Sequence, residues 1–426
     1  MANNRRDFLR TLGIGTAAAM TSPSQIWAKS TADLQQTIGL FKTEDTSEAF
    51  WETIKSQFSF AEGLTYFNNG SLGASPKIIR KATNQFRDTL DDFPSKYMWG
   101  GWDEEKEMVR KKTASLFSVS EEEIALIHNT TEGMNLIARS LDLQEGDEII
   151  LADHEHSSAV SPWKVWQESK GITLVRPTLP ILPESVDELV EVFKKSITPK
   201  TKVISICHMI NTNGMIMPIK EISKMAHEKG ILVAVDGAQA AGMFTFDLKD
   251  IDCDFYTVSA HKWLFSPKGV GIFYAKKESQ KHLKPLIVAR GYKDTSIRRL
   301  ENYNTRNLPE VLGFGAALDY HDGIGAKKIE ARTYELKAYF RNAIKEHPKL
   351  VLKTPALDSL SAGIQIVEVL GKDVQTVKDS LFDDYGIDCR PMSSFGLNAV
   401  RLSFAIFITK KDIDRLVMAL DTIANS

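Results

Sequence analysis

Between residues 123 and 237 the chain alternates short apolar runs with amphipathic stretches. EIALIH, DEIILAD, GITLVRP, KVISICHM and ILVAVDG are rich in Ile and Val, and each is apolar at nearly every position. Such runs predict strands buried on both faces of a sheet. SVDELVEVFKKSI and IKEISKMAHEKG, which lie between them, carry apolar residues at helical spacing. Strand and helix in alternation predict an α/β fold of βαβ crossovers, with a mainly parallel sheet flanked by helices. In such sheets ligands sit beyond the C-terminal ends of the strands, so the residues just after each run are the ones to inspect. The rhythm changes after about residue 285. LPEVLGFGAALDYHD, the amphipathic AKKIEARTYELKAYFRNAIKEH, short strands, DVQTVKDSLFDDYG and a closing TKKDIDRLVMALDTIANS predict a smaller α+β domain.

The N-terminus departs from this pattern. In NRRDFLRTLGIGTAAAMTSPSQIWAKS, Arg5-Arg6 precedes Phe8-Leu9 and a weakly apolar run from Leu12 to Met20. The run is too short to span a bilayer, and it fits a signal-peptide core. The twin arginines resemble a bacterial Tat signal, which implies export of an already folded precursor by the Tat machinery to a periplasmic or secreted location. The expected organisation is a signal peptide over 1–28, a segment over 29–60 packing on the small domain, a large domain over 61–285 and a small domain over 286–426.

Composition narrows the function classes. The chain has 426 residues, 43% hydrophobic and 25% charged, with a net charge of −2, so no global basic field points to nucleic acid. Its three cysteines, Cys207, Cys253 and Cys389, form no CxxC, and neither a zinc nor a redox motif is visible. His154 and His156 lie two apart with no HExxH, so no metal site is expected.

The candidate chemistry stands at the strand ends. Asp236 closes ILVAVD, where a carboxylate is costly unless paired; it is either a helix cap or the partner of a protonated ring nitrogen. Lys262 follows 26 residues later in TVSAHKWLFSPKG. A lone lysine there suits a snorkelling side chain, and desolvation instead makes it a nucleophile. A lysine Schiff base with an Asp on the pyridinium nitrogen is the arrangement of pyridoxal phosphate sites. VDGAQAAG followed by SAHKWLFSPKGVGIFY resembles the class V aminotransferase family of fold-type I pyridoxal 5′-phosphate (PLP) enzymes, and the likeness runs from about Tyr66 to the C-terminus.

That resemblance implies roles for further residues. Thr130 and Thr131 in HNTTEGMN would hold the cofactor phosphate at a helix N-terminus, together with Ser259 and His261. His156 in DHEHSS would stack on the cofactor ring. Asn211 in CHMINTNGMIMPI and Gln239 would contact its phenolic oxygen. Asn69 in TYFNNGSLGASP would approach the substrate carboxylate, which Arg401 in AVRLSFAIFITKKDID would bind through its bidentate fork. Thr305 in YNTRN matches a loop that reaches the partner subunit's phosphate in relatives, although Asn304 replaces the family's glycine. A homodimer is therefore expected.

The NTTEGMN loop, the NNGSLG opening and the helix DEEKEMVRKKTASLF look most like the isopenicillin N epimerase-like branch. The implied chemistry is proton movement at the Cα of an amino acid or small peptide amine, with Lys262 as one base and Tyr97, Tyr292 and His154 as unranked candidates for a second. A cysteine desulfurase is the alternative enzyme. There the cysteine follows the arginine equivalent to Arg390, whereas Cys389 precedes it here. A non-catalytic PLP-binding protein is the alternative of another class, and the pairing of Lys262 with Arg401 argues against it.

Overall fold

The computed structural model describes residues 23–426. The proposed signal sequence falls outside the described residues up to residue 22, and its remainder opens the helix Pro23–Ser30.

The strands, in chain order, are β1 (Thr65–Tyr66), β2 (Ile124–Ile127), β3 (Glu148–Ile150), β4 (Thr173–Val175), β5 (Thr201–Cys207), β6 (Leu232–Asp236), β7 (Phe255–Ser259), β8 (Gly271–Ala275), β9 (Leu350–Leu352), β10 (Ile364–Val369), β11 (Ile387–Asp388), β12 (Arg390–Met392) and β13 (Ala399–Ser403). Seven of them form the large sheet, in the order β2-β8-β7-β6-β5-β3-β4. Pairing is parallel from β7 through β6, β5 and β3 to β4, and β8 runs antiparallel to both of its neighbours. The mainly parallel sheet read from the apolar runs is therefore present, and β2, β6, β7 and β8 are buried at every position or nearly so. Helices on both faces cover the two sides, as an all-apolar strand requires. The ends of β2, β3, β5, β6 and β7 open on one edge.

The second sheet, β12-β13-β10-β9, is fully antiparallel and backed by the helices Ala326–Ile344, Val374–Asp383 and Lys410–Asn425. Pairing crosses the boundaries expected along the chain. β1 pairs in parallel with β11, more than 300 residues away, in a separate two-stranded sheet, so the chain at Thr65 is tied to the segment that leads into the smaller sheet. The helix Leu308–Ile324 packs on Lys77–Asp92 and Asp103–Leu116. The segment after Ser30 lies against the C-terminal half of the chain: Phe41 meets Tyr320 edge-on with ring centroids 5.4 Å apart, Arg332 pairs with Glu48, and Lys55 pairs with Asp412.

Candidate active site

Two close approaches set the site's frame. The helix Thr130–Ser140 starts directly after β2, capped by Asn129, whose Oδ1 accepts the Glu132 N–H at 3.0 Å. One turn in, Gly133 lies against β7, where a Cβ would stand 2.1 Å from Thr257 Oγ1; only a residue without a side chain permits this approach. The helix start is thereby pinned to the end of β7. The Thr130 N–H donates to Ser259 Oγ at 3.0 Å, and the Ser259 hydroxyl donates to Thr130 Oγ1 at 3.0 Å. The second approach is the loop after β1. A Cβ on Gly73 would fall 2.1 Å from the His261 carbonyl oxygen and 2.3 Å from that of Lys262. Asn69, fully buried, donates from Nδ2 to the Lys262 carbonyl at 3.3 Å.

Between these elements lies a cavity of about 210 Å³. Thr130, Thr131, His156, Asn211, Asp236, Gln239, Ser259, His261 and Lys262 all line it, together with Ser71 and Cys207. The sequence reading thus brought nine residues from five strand ends to one place. Thr305 does not line it; it sits exposed on the loop after Tyr303. Asn69 and Arg401 stand one layer back. Arg401 is buried on β13 and donates to the Asn211 carbonyl (3.0 Å), Ser71 Oγ (2.6 Å) and Asn68 Oδ1 (3.3 Å), while its Nε has no partner.

The electrostatics follow from burial. Lys262 is pushed down to about 8, first by desolvation, with Asp236 opposing and Arg401 and Arg390 adding to the fall. Asp236 accepts the Ala238 N–H at 2.9 Å. Burial raises its pKa, against that hydrogen bond and the nearby Lys262 and His156. His261 is pushed down to about 4 by burial and by Lys262 and Lys268, and its Nδ1 is buried without a partner. His156 caps the helix Ser157–Lys170 and holds the Ser158 hydroxyl at 2.6 Å, and burial lowers its pKa as well. Gln239 donates to the Gly70 carbonyl at 2.7 Å and accepts from Trp263 Nε1 at 2.9 Å. Its amide is thus held in a fixed orientation at the cavity wall.

None of the three candidates for a second base lines the cavity. Tyr97 is buried against Trp102, Tyr292 is an exposed surface residue, and His154 is buried with Nδ1 on the Thr212 hydroxyl at 2.7 Å. A different ionisable group was missed. Glu155, between the two histidines, is buried, accepts the Cys207 N–H at 3.0 Å and leaves its other oxygen unpartnered. Desolvation, with Asp236 adding to it, pushes Glu155 up to about 8. The signal available in the sequence was its position in the short segment between a buried strand and the next helix, where a buried carboxylate needs an account.

A desolvated lysine, a buried aspartate beside it, an anion site at a helix N-terminus and a buried guanidinium with no carboxylate partner among the described residues together define a lysine-anchored cofactor enzyme of the fold-type I class. Residues 100–416 match the family described as Aminotransferase class-V. The chain belongs to that family, whose cofactor is pyridoxal 5′-phosphate. It is 28% identical over 392 residues to isopenicillin N epimerase of Streptomyces clavuligerus, covering 88% of this chain and 98% of that protein. It is 32% identical over 338 residues to a probable cysteine desulfurase of Halalkalibacterium halodurans, covering 75% and 82%. Among solved structures, a cysteine desulfurase of Thermococcus onnurineus NA1 superposes with a TM-score of 0.77 at 23% identity, over 88% of this chain and 98% of that one. A C-DES mutant with glycine covalently linked to its PLP cofactor also superposes at 0.77, with 22% identity over 86% and 98%. The residues present fit the cofactor: the unpartnered polar atoms of His261, Asn69 and Arg401 cluster around this cavity, and the half-buried Lys262 and the buried Asp236 have no ion pair within 4.0 Å among the described residues.

Proposed function

We propose that this protein acts at the Cα of an amino acid or small peptide amine, by amino transfer. The observation that carries the reading is the set of groups around Lys262, an amine held near neutrality beside Asp236, with the buried Arg401 free of any carboxylate among the described residues. Thr130, Thr131, Ser259 and His261 would hold the cofactor phosphate, Asp236 its ring nitrogen, and Asn211 and Gln239 its phenolic oxygen, with His156 over the ring. When bound, the cofactor supplies an electron sink for the charge left at Cα. Arg401 takes the substrate carboxylate, aided by Asn69, and so sets which Cα bond faces Lys262. Lys262 removes the proton and can return it, because an amine near pKa 8 is partly neutral at physiological pH. The close fit of Gly73 and the buried Asn69 keeps that amine's backbone fixed, which is the positioning that proton transfer needs.

Amino transfer needs one base, and Lys262 is the amine lining the cavity. Epimerisation needs a second base on the other face, and the similarity spanning 98% of an isopenicillin N epimerase keeps it as the second reading. Desulfuration needs a reachable thiolate. Cys389 is only 2% exposed and is pushed up to about 12, chiefly by burial, which speaks against that role. Thr305, exposed and away from its own chain's cavity, suits a contact with the site of a second copy in a homodimer.

The test begins with the cofactor's absorbance, which should be present in the wild type and lost in Lys262→Ala. Candidate amines are then incubated in deuterated water. Keto acid formation supports amino transfer, whereas Cα deuteration without keto acid supports epimerisation. Sulfide release from cysteine would overturn both.

A further inference from the structure

One feature of the small sheet is not absorbed by a single-carboxylate substrate. β12 and β13 run antiparallel with Arg390 directly opposite Arg401. Like charges placed directly across an antiparallel pair are destabilising. Here they also converge: Arg401 Nη2 donates to Ser71 Oγ at 2.6 Å, and Arg390 Nη1 reaches the same oxygen at 3.3 Å. Ser71 lines the cavity. Neither guanidinium has a carboxylate within 4.0 Å among the described residues. The acid that joins the network, Asp388, is engaged with Asn68 Nδ2 at 3.4 Å, so Asn68 stands between it and Arg401. Both arginines act on the charge of Lys262, opposite in sign to Asp236. Two arginines thus meet at Ser71, behind a cavity wall whose own charges are Lys262 and the buried Asp236. Arg401 is buried and Arg390 exposed, which separates an inner anion position from an outer one.

We propose that the substrate is an acidic amino acid whose second carboxylate is bound by Arg390, while Arg401 takes the α-carboxylate. This rests on the carboxylate role given to Arg401 above and adds the substrate class. With Arg401 given to the α-carboxylate, Arg390 is the nearby guanidinium left for a second carboxylate, which would offset the cross-strand repulsion that the free protein carries. Arg390 is thus a specificity-determining residue, acting from beside Ser71 and not on the reacting atoms.

The test uses the full-length, cofactor-loaded protein. Aspartate, glutamate and 2-aminoadipate are titrated, each against its side-chain amide, and binding is read from the shift in cofactor absorbance. At least one acid should half-saturate at a concentration roughly tenfold below that of its amide, as one charge-assisted hydrogen bond of about 1.4 kcal/mol requires. Added salt should shrink the ratio, because Arg390 is exposed. Arg390→Gln should bring the ratio to about one, and Arg390→Lys should restore part of it; the cofactor absorbance of each variant reports that it is folded and loaded. Equal binding of acid and amide throughout the series, or a preference that survives in Arg390→Gln, overturns the inference while leaving the role of Arg401 standing. If neither acids nor amides perturb the loaded protein, or if Arg401→Gln binds both as the wild type does, the α-carboxylate reading falls and this inference with it.

Discussion

Glu155→Gln gives the sharpest test of the electrostatics behind the site. Glu155 has an ordinary value of 4.5 and is pushed up to about 8 in the fold, chiefly by burial. It therefore keeps its proton at neutral pH while the unfolded chain gives one up. Between about pH 4.5 and 8 the unfolded state binds fewer protons at this position, so native stability falls as pH rises. At about 1.4 kcal/mol per pH unit this gap sets a ceiling of roughly 5 kcal/mol. Glutamine keeps the acceptor that Glu155 offers to the Cys207 N–H at 3.0 Å and removes the titration. The assay is the guanidinium unfolding midpoint of both proteins at several pH values from 5 to 8. Other titrating groups contribute to both proteins and cancel in the difference. The variant should gain on the wild type steadily with pH, by about 3 to 4 kcal/mol from pH 5 to pH 8. A protonated-carboxyl band in the infrared difference spectrum at neutral pH, absent from Glu155→Gln, should accompany it. A difference that stays flat with pH refutes the reasoning, because it would mean that Glu155 is ionised in the native protein beside Asp236.

Three further outcomes follow from the same geometry. Lys262, pushed down to about 8, should let cofactor-stripped protein reload at a rate that rises with pH and levels off just above pH 8, because the neutral amine is the nucleophile; a rate still climbing at pH 10 would restore the ordinary lysine value. Gly73→Ala should lower cofactor loading and stability by about 1–3 kcal/mol, since its Cβ would meet two backbone oxygens at 2.1 and 2.3 Å; wild-type absorbance and melting temperature would show that the loop yields freely. Trp27 packs on Phe86 with centroids 5.5 Å apart and lies 4.7 Å under the Lys112 ammonium, so a chain beginning at residue 29 should melt about 2 °C below one beginning at residue 23, at a cost of about 2 kcal/mol. Equal melting would mean that the helix Pro23–Ser30 adds nothing to the folded body.

The cofactor half of the site was readable along the chain because it is local. Asp236, Ser259 and Lys262 each end or follow a run that is apolar on both faces, and a polar residue there has few uses besides chemistry. Thr130 and Thr131 likewise follow β2 at a capped helix start. What escaped reading depends on pairing between distant segments. β1 joins β11 across more than 300 residues, a partnership that no period in TYFNNG discloses. Tyr97, Tyr292 and His154 were candidates by residue type alone. Only the packing shows that Trp102 covers the first, that the second faces outward and that Thr212 occupies the third. Glu155 was passed over because it sits between two histidines in a polar string, where its burial is set by β5 and not by its neighbours in sequence.

The two arginines show the same division most clearly. Arg401 stands out in AVRLSF as a charge inside an apolar strand, which a buried position must account for. Arg390 in DCRPM looks like an ordinary surface residue of a polar turn. It comes beside Arg401 and Ser71 only through register, since β12 lies antiparallel to β13 with residues 390 and 401 opposed. A slip of one residue in that pairing would send Arg390 to the other face of the sheet and leave Ser71 to Arg401 alone. Under the proposed roles, recognition of the first carboxylate would be written in a single strand, whereas any preference for a second one would be a property of how two strands align.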